Sequence, residues 1–311
     1  MPEQPVPVLR SGIVYGVVAY LLWGLLPLYF ILLAPTGPLE IVAWRIIWSL
    51  GFCVIALSLT RGWRRLGALV RRPRVLFTMA GAGILIFINW QTYVYATTSG
   101  HVVEAALGYF INPIVTVFLG VIVLRESLRP LQWAAVVVSV AAVIVLTFAY
   151  GAFPWIALTL AFSFGFYGFV KKRVGGEVDA LSGLSLESAW LVPVAVAELI
   201  VVGLTSGVTF GHVSVANTVL LVLAGVVTAV PLLLFAAAAR RLPLVYIGLV
   251  QYLTPIMQFL VGVAVEHEAM DAARWAGFVI IWVSLALLTV DLVRAGARRR
   301  NQLAGASVTI Q

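Results

Sequence analysis

Long apolar stretches, each separated from the next by a few polar residues, recur along the whole chain and constrain its fold more than any other feature. A transmembrane helix needs about 20 consecutive, mostly apolar residues. Stretches of this kind lie at 13–33, 39–60, 75–96, 102–124, 131–149, 153–170, 183–204, 215–237, 243–265 and 272–293. Because the connections between them are too short for a separate soluble domain, the sequence predicts an all-α integral membrane protein with ten transmembrane helices.

The composition supports a lipid environment and argues against a water-soluble core. Hydrophobic residues make up 62% of the 311 residues and charged residues only 10%, whereas soluble domains contain about 25% charged residues. A single cysteine, Cys53, excludes an internal disulfide framework. Residues 1–12 are short, polar and Pro-rich, and no cleavage-site pattern follows the first apolar stretch. We therefore expect that stretch to be retained as the first span.

The distribution of basic residues predicts the orientation of the chain in the membrane. Eighteen of the twenty Lys and Arg residues lie at alternate connections, on one side, and the exceptions are Arg45 and Arg274. Cytoplasmic connections retain Lys and Arg, so we expect residues 1–12 and the basic tail 294–311 to be cytoplasmic. The net charge of +8 is then a topology signal with a weak attraction for anionic lipid, and we expect no nucleic-acid partner.

The two halves of the chain resemble each other. When Pro113 is aligned with Pro255, GYFINPIVTVFLGVIVLRES (108–127) matches VQYLTPIMQFLVGVAVEHEA (250–269) at both prolines and at several apolar, glycine and glutamate positions. Each half contains five spans, and an odd number makes the halves enter the membrane in opposite senses. The sequence thus predicts two inverted five-helix repeats, 13–149 and 153–293, which is the plan of many secondary transporters.

Several stretches also resemble a known family of transporters. The resembling stretches are AYLLWGLLPLYF (19–30), INWQTYVYA (88–96), EAALGYFINP (104–113), SFGFYGFVKKR (163–173) and QYLTPIMQF (251–259). They are similar to the RarD family, EamA-type members of the drug/metabolite transporter superfamily, and the likeness covers nearly the whole chain. The resemblance implies a bacterial inner-membrane carrier, and we expect no cofactor. Such carriers are often described as related to chloramphenicol sensitivity, and their physiological substrate is generally unestablished.

Polar residues in the fourth and ninth spans are candidates for a substrate cavity. Glu104, Gly108 and Asn112 are four residues apart and share a helix face. Polar side chains within the hydrocarbon region usually face a cavity or the bundle interior, and a proline frees a backbone carbonyl for other partners. We expect Pro113 and Pro255 to bend their spans around a central cavity. The alternative is a packing kink in which Asn112 bonds to a neighbouring helix.

The third span adds a second polar and aromatic cluster. Asn89 and Tyr93 share one face and Gln91 and Tyr95 another, so one of these pairs is expected to face inward, although Tyr95 also suits an interfacial aromatic belt. An aromatic lining would favour flat apolar or cationic molecules. The candidate substrate-binding residues are Asn89, Trp90, Tyr93, Gly108, Asn112, Tyr167, Gln251, Tyr252, Thr254 and Gln258.

Charged residues inside the spans are candidates for coupling and gating, together with the two prolines. Arg45 has two interpretations: an interfacial anchor, or an anion-recognising or gating residue that pairs with Glu104 across helices. A carboxylate in an apolar setting is pushed towards protonation, so Glu104, Glu187 and Glu198 are candidates for carrying a coupling proton, with Glu104 preferred. The coupling and gating candidates are Glu40, Arg45, Glu104, Glu187, Pro113 and Pro255.

These features favour a secondary transporter over a membrane-embedded enzyme or a channel. The three histidines, His101, His212 and His267, are not helically spaced, and H-E-x-x-H, G-x-S-x-G and P-loop patterns are absent. The acidic group at 266–271 is better explained as a solvated turn than as a metal site, so we expect no metal and no catalytic residues. The expected partners are a small organic metabolite or drug, the lipid bilayer and a coupling proton. A monomer and a homodimer both remain open.

Overall fold

The chain folds into a bundle of α-helices. The structure, a computed structural model, describes residues 6–124, 130–150, 153–174, 176–239, 241 and 250–308. The helices described there are α1 Val6–Gly24, α2 Leu26–Ile31, α3 Pro38–Leu59, α4 Trp63–Val70, α5 Pro73–Thr98, α6 Val102–Leu124, α7 Pro130–Tyr150, α8 Trp155–Val174, α9 Ala180–Thr205, α10 Val215–Ala239, α11 Leu253–Ala264 and α12 Ala272–Val308.

The helices confirm the all-α membrane class. Among the described residues, six helical segments are long and apolar enough to cross a membrane: α1 with α2, α3, α5, α9, α10 and α12. Shorter apolar segments lie in α6, α7, α8 and α11. Helix α12 continues through most of the predicted basic tail, to Val308, and α1 begins within the predicted N-terminal segment, at Val6.

Two local features depart from the predicted spans. The first apolar stretch is interrupted at Leu25, which separates α1 from α2, and Pro27 occupies the first turn of α2, where a missing N–H donor is tolerated. The basic connection after α3 contains a short helix, α4, that was not predicted. Its arginines are exposed and Leu69 is buried, so α4 packs along its apolar side only.

The two prolines that were expected to bend their spans lie in different local settings, and the bends themselves stay a prediction. Helix α6 runs through Asn112 and Pro113 as one helix, and the side chain of Pro113 lies outside the described residues. Pro255 lies in the first turn of α11, two residues after Leu253. The first four N–H groups of a helix have no intrahelical acceptor, so Pro255 removes no helical hydrogen bond. This helix start lies within the predicted ninth span, directly after the turn at residues 251–252.

Close helix contacts at glycine bring the elements together around the centre of the bundle. Helix α6 packs on α8 and α11, and α1 packs on α10 and α11. A Cβ atom on Gly108 of α6 would lie 2.7 Å from the Ala157 carbonyl oxygen of α8, and one on Gly24 of α1 would lie 2.8 Å from the Met257 Cβ of α11. Only glycine permits these approaches, which bring the polar residues of α5, α6 and α11 close to α1 and α3.

Candidate substrate cavity

A cavity of about 180 Å³ lies between the two halves of the bundle. Its lining comes from eight helices and the residues just before α11. The lining residues are Tyr20, Trp23, Leu26, Arg45, Ile86, Asn89, Trp90, Tyr93, Tyr109, Asn112, Phe164, Leu232, Phe235, Gln251, Thr254, Pro255 and Gln258. Most of this wall is aromatic or aliphatic, with a few polar groups among them, as in typical small-molecule sites.

Arg45 places a positive charge against this cavity. Its side chain is buried, with 3% of the residue exposed, so it is not an interfacial anchor. Its Nε donates to Thr228 Oγ1 at 2.6 Å, and its guanidinium carbon lies 4.4 Å from the centre of the Trp90 ring and 5.6 Å from that of Phe30. Stacking on an aromatic face is a usual arrangement for arginine.

Hydrogen bonds fix the polar groups on two sides of the cavity. Asn89 Nδ2 donates to the Leu160 carbonyl oxygen at 3.2 Å and to Ser163 Oγ at 3.1 Å, while Tyr109 OH donates to Asn89 Oδ1 at 3.0 Å. Asn89 is therefore held between α5, α6 and α8. Since both ends of its amide are bonded, its orientation is determined by the surrounding helices.

The opposite side of the cavity is built from α11. Gln258 Nε2 donates to Tyr93 OH at 2.8 Å, whereas the buried Gln258 Oε1 has no protein partner. Thr254 Oγ1 donates to the Tyr20 carbonyl oxygen at 2.7 Å. These bonds join α11 of the second half to α5 and α1 of the first half. They leave one acceptor, Gln258 Oε1, unused on a cavity-lining side chain.

Glu104 lies in a second pocket, of about 400 Å³, at the end of the bundle where α6 and α8 begin. Glu268 lines the same pocket, and both its carboxylate oxygens accept from the Val103 N–H, at 3.0 and 3.2 Å. Burial raises the pKa of Glu268, an effect that the Val103 and Val102 N–H groups oppose. Among the described ion pairs there is none between Arg45 and Glu104, so this structure does not form the pairing that was one of the two interpretations of Arg45.

Glu40, at the start of α3, binds the connection between α9 and α10. Its two oxygens accept from the Thr209 N–H at 2.9 and 3.0 Å, from Thr209 Oγ1 at 3.0 Å and from the Phe210 N–H at 3.0 Å. Trp44 Nε1 also donates to Glu40, at 3.2 Å. One carboxylate of the first half thus holds backbone donors of the second half.

Glu187 forms a buried ion pair away from the cavity. Lys171 Nζ lies 2.7 Å from Glu187 Oε1, and Tyr167 OH donates to Glu187 Oε2 at 3.2 Å. Only 2% of the Glu187 side chain is exposed, compared with 28% for Lys171. Tyr167, expected among the substrate-binding residues, is therefore a partner of Glu187 and is not part of the described cavity wall.

Comparison with known proteins agrees with this architecture. The sequence profile of the EamA-like transporter family matches residues 10–148. A protein named RarD from Streptomyces exfoliatus is 44% identical over 301 residues, which covers 97% of this chain and 95% of that protein. The chain belongs to the RarD family of EamA-type transporters. An uncharacterised transporter from Bacillus subtilis is 42% identical to this RarD-family chain, over 92% of this chain and 95% of its own length.

A solved crystal structure has the same fold. It superposes on this RarD-family chain with a TM-score of 0.59 at 18% sequence identity, and the match covers 90% of this chain and 98% of the other. Family membership and the apolar helices together make this RarD-family chain a multi-pass membrane transporter.

The structure of this RarD-family transporter brings seven of the ten expected substrate-binding residues to one cavity. They are Asn89, Trp90, Tyr93, Asn112, Gln251, Thr254 and Gln258. Gly108 is packed against α8 and Tyr252 against the apolar cluster of α6, α11 and α12, so neither lines the cavity. Of the two alternatives for α5, the Asn89 and Tyr93 face lies inward, while Tyr95 is 38% exposed.

Sequence reasoning missed the aromatic residues that complete the cavity of this RarD-family protein. Tyr20 and Trp23 are three residues apart on α1, and Tyr109 lies three residues before Asn112 on α6. The spacing of three, which places side chains on one helix face, was the signal available for Tyr20, Trp23 and Tyr109. Phe164 lies three residues before Tyr167 and carries the same signal, whereas Phe235 stands in a uniformly apolar run that gives none.

Proposed function

We propose that this protein is a secondary carrier that moves a small organic metabolite or drug across the bacterial inner membrane by alternating access. The observation that carries the proposal is the central cavity, whose polar groups come from both halves of the chain. In carriers built from inverted repeats, the substrate site lies at the interface between the repeats, and one repeat rocks against the other around it.

The ten-span, inverted-repeat arrangement is supported by the way the helices pair. If α1, α3, α5, α6 and α7 correspond to α8, α9, α10, α11 and α12, the α1–α10 contact has its counterpart in α8–α5 and the α1–α11 contact in α8–α6. The α3–α10 contact likewise corresponds to α9–α5, and α3–α9, α6–α11 and α7–α12 correspond to themselves. A twofold relation between residues 13–149 and 153–293 would produce this pattern.

Labelling of introduced cysteines tests the inversion. The single native thiol, Cys53, is buried, so a Cys53→Ser background removes the remaining reactivity with little structural change. Arg61 follows the second span and His212 follows the corresponding seventh span, and both are exposed. We expect a membrane-impermeant maleimide to label His212→Cys from outside intact cells and Arg61→Cys only after permeabilisation. Labelling of both from one side would refute the inverted arrangement and the cytoplasmic termini.

The contacts of Glu40 and Glu268 suggest how one side of the cavity is closed. Both carboxylates bind backbone N–H groups of the opposite half at the end of the bundle where α3, α6 and α12 begin. The asymmetry of basic residues makes this the outer side. We infer that these two contacts hold the outer gate shut in the conformation described and that they break when the carrier opens outward.

Counterflow in proteoliposomes tests the carrier. A carrier gives saturable exchange that is accelerated by substrate on the far side, whereas a channel gives flux without either property. We expect Gln258→Leu to abolish or strongly weaken counterflow, because it removes a buried polar group from the cavity. Gln91→Leu makes the same chemical change on α5 outside the cavity wall and should leave counterflow unchanged. Unsaturable flux, or equal effects of the two substitutions, would contradict the proposal.

We propose that Glu104 carries the coupling proton. This residue is buried in the outer pocket beside Glu268, and intramembrane carboxylates commonly serve as proton relays. We expect Glu104→Gln to abolish transport driven by a pH gradient and to preserve counterflow, which needs no gradient. Proton-driven uptake that is unchanged in Glu104→Gln would refute this assignment.

A further inference from the structure

The guanidinium of Arg45 has hydrogen-bonding capacity that the protein leaves unused. Its Nε is bonded to Thr228, but the buried Nη1 has no hydrogen-bond partner. Among the described residues, no carboxylate lies within ion-pair distance of Arg45. Arginine stays charged in proteins, so a buried, unneutralised cation faces the wall of the cavity.

Lys171, a second cation among the described helices, differs from Arg45 in having a carboxylate partner. Lys171 is paired with Glu187 at 2.7 Å, and that carboxylate also accepts from Tyr167. A buried charge without a partner is costly, and the chain avoids this cost at Lys171 but not at Arg45. Cation–π contact with Trp90 offsets part of the cost, but it supplies no acceptor for the in-plane Nη1 donors, which stay without a hydrogen-bond partner.

The size and the wall of the cavity restrict what that ligand can be. An apolar cavity of about 150 Å³ holds one benzene ring, and this cavity measures about 180 Å³. Drug-sized ligands need about 300 Å³ or more. The space therefore suits one ring with a small substituent, and Trp23, Tyr109 and Phe164 provide aromatic surface for the ring.

We propose that the substrate is a small organic anion, with a carboxylate that binds the Arg45 guanidinium and an aromatic or cyclic body that packs on the aromatic wall. This inference rests on the proposed carrier function and names its substrate class. It replaces the expectation of flat apolar or cationic substrates, since a cation placed in the same cavity would be repelled by Arg45. The carboxylate of the ligand supplies the negative charge that no described residue places beside Arg45. Binding therefore offsets the free-energy cost of burying that charge without a partner.

Matched probe molecules test the charge preference without any mutation. Benzoate, benzamide and benzylamine share one ring and differ in the charge of a small substituent, and cyclohexanecarboxylate with its amide and amine repeats the series on an alicyclic ring. We expect the carboxylates to raise the Tm of the purified protein in a saturable way. Charge-assisted hydrogen bonds contribute about 1.5–3 kcal/mol, so the amides should bind about 10- to 100-fold more weakly. If an amide or amine binds as tightly as its carboxylate, or if neither carboxylate stabilises the protein, the inference is overturned.

Substitution of Arg45 assigns the preference to this residue. Arg45→Gln should lose about 10- to 100-fold in carboxylate affinity and should bind benzoate and benzamide equally, whereas Arg45→Lys should keep part of the preference. Arg72→Gln makes the same change at an exposed arginine and should behave as the unmodified protein. Without ligand, Arg45→Gln should be at least as stable as the unmodified protein, because a buried unpaired charge is removed. A preference for benzoate that survives in both Arg45 variants would show that the residue is structural and would overturn the inference.

Counterflow with the same probes separates this inference from the carrier proposal. If the amines or amides exchange and the carboxylates do not, the anion assignment fails and the carrier stands. If the carboxylates bind through Arg45 but flux is unsaturable and shows no counterflow, the carrier proposal fails and the anion site stands.

Discussion

The ion pair between Lys171 and Glu187 yields a prediction whose size and asymmetry follow from the structure. The pair is short, 2.7 Å, but its two members differ in exposure: 2% of the Glu187 side chain is exposed and 28% of the Lys171 side chain. Removing one partner of a buried ion pair costs about 3–5 kcal/mol when the other is left without compensation. That condition holds for the glutamate and not for the lysine, whose long side chain can extend towards water.

The perturbations are Lys171→Met, Glu187→Gln and the double variant. Lys171→Met leaves a buried carboxylate with Tyr167 as its remaining hydrogen-bond donor, so we expect a loss of about 3 kcal/mol in the free energy of unfolding. Glu187→Gln leaves an ammonium group that reaches solvent and should cost about 1–2 kcal/mol. The double variant leaves no charge behind and should also cost about 1–2 kcal/mol, which gives a coupling energy of about 3 kcal/mol.

Unfolding of the purified protein in mixed detergent micelles, followed by circular dichroism as the SDS fraction rises, measures these differences. Arg173→Met is the control, because Arg173 is exposed two residues from Lys171 and its loss should change stability by less than about 0.5 kcal/mol. If Lys171→Met costs no more than Glu187→Gln, the argument from unequal burial is wrong. If the two single costs simply add in the double variant, the residues are not coupled.

Three further predictions concern the gate, a helix contact and a helix cap. Glu40→Gln replaces one acceptor oxygen by a donor that faces backbone N–H groups, which should weaken the gate. External maleimide should then label Leu26→Cys at least about tenfold faster than in the protein with Glu40. Asp271→Asn in the same assay should not change the labelling rate. Gly108→Ala places a methyl group 2.7 Å from the Ala157 carbonyl oxygen and should cost about 1–3 kcal/mol in unfolding free energy, while Gly81→Ala, which meets no atom within 4 Å, should be neutral or stabilising. Asp179→Ala should cost about 1 kcal/mol at pH 7, because the carboxylate caps α9 through the Ser182 N–H at 3.1 Å.

The cap prediction has a definite pH dependence. Burial alone would raise the pKa of Asp179, but hydrogen bonds from Ser182 and the charge of Arg65 outweigh it and lower the pKa below its usual value. A carboxylate with a depressed folded-state pKa stabilises the protein above the unfolded pKa of about 3.9 and loses this effect as the pH falls through the lower folded value. The difference in unfolding free energy between the unmodified protein and Asp179→Ala should therefore be constant from pH 5 upwards and shrink below about pH 4. A difference that grows on acidification would refute the assignment.

The sequence alone was sufficient for the class of fold and for most of the cavity. Apolar stretches of membrane-spanning length leave helices as the only way to satisfy backbone hydrogen bonds in lipid, so the all-α class followed from pattern alone. Asn89, Tyr93 and Gln258 were predictable because a polar side chain inside such a stretch must face protein or water. Because exposing a polar side chain to lipid is costly, such a residue can be predicted to face inward without knowing its neighbours.

The partners of these residues were decided only by the tertiary structure. Periodicity reports which residues share a face of one helix but not which face of another helix they meet. The sequence therefore left the partner of Arg45 open, and its contacts with Thr228 and Trp90 had no sequence signal. Gly108 was assigned to the cavity because it shares a face with Asn112, yet the approach of α8 covers that position. Hydrophobic patterning depends on local chemistry, whereas pairing depends on packing between residues far apart in the chain. The unpaired charge of Arg45 is therefore a property of the folded bundle and not of any stretch of its sequence.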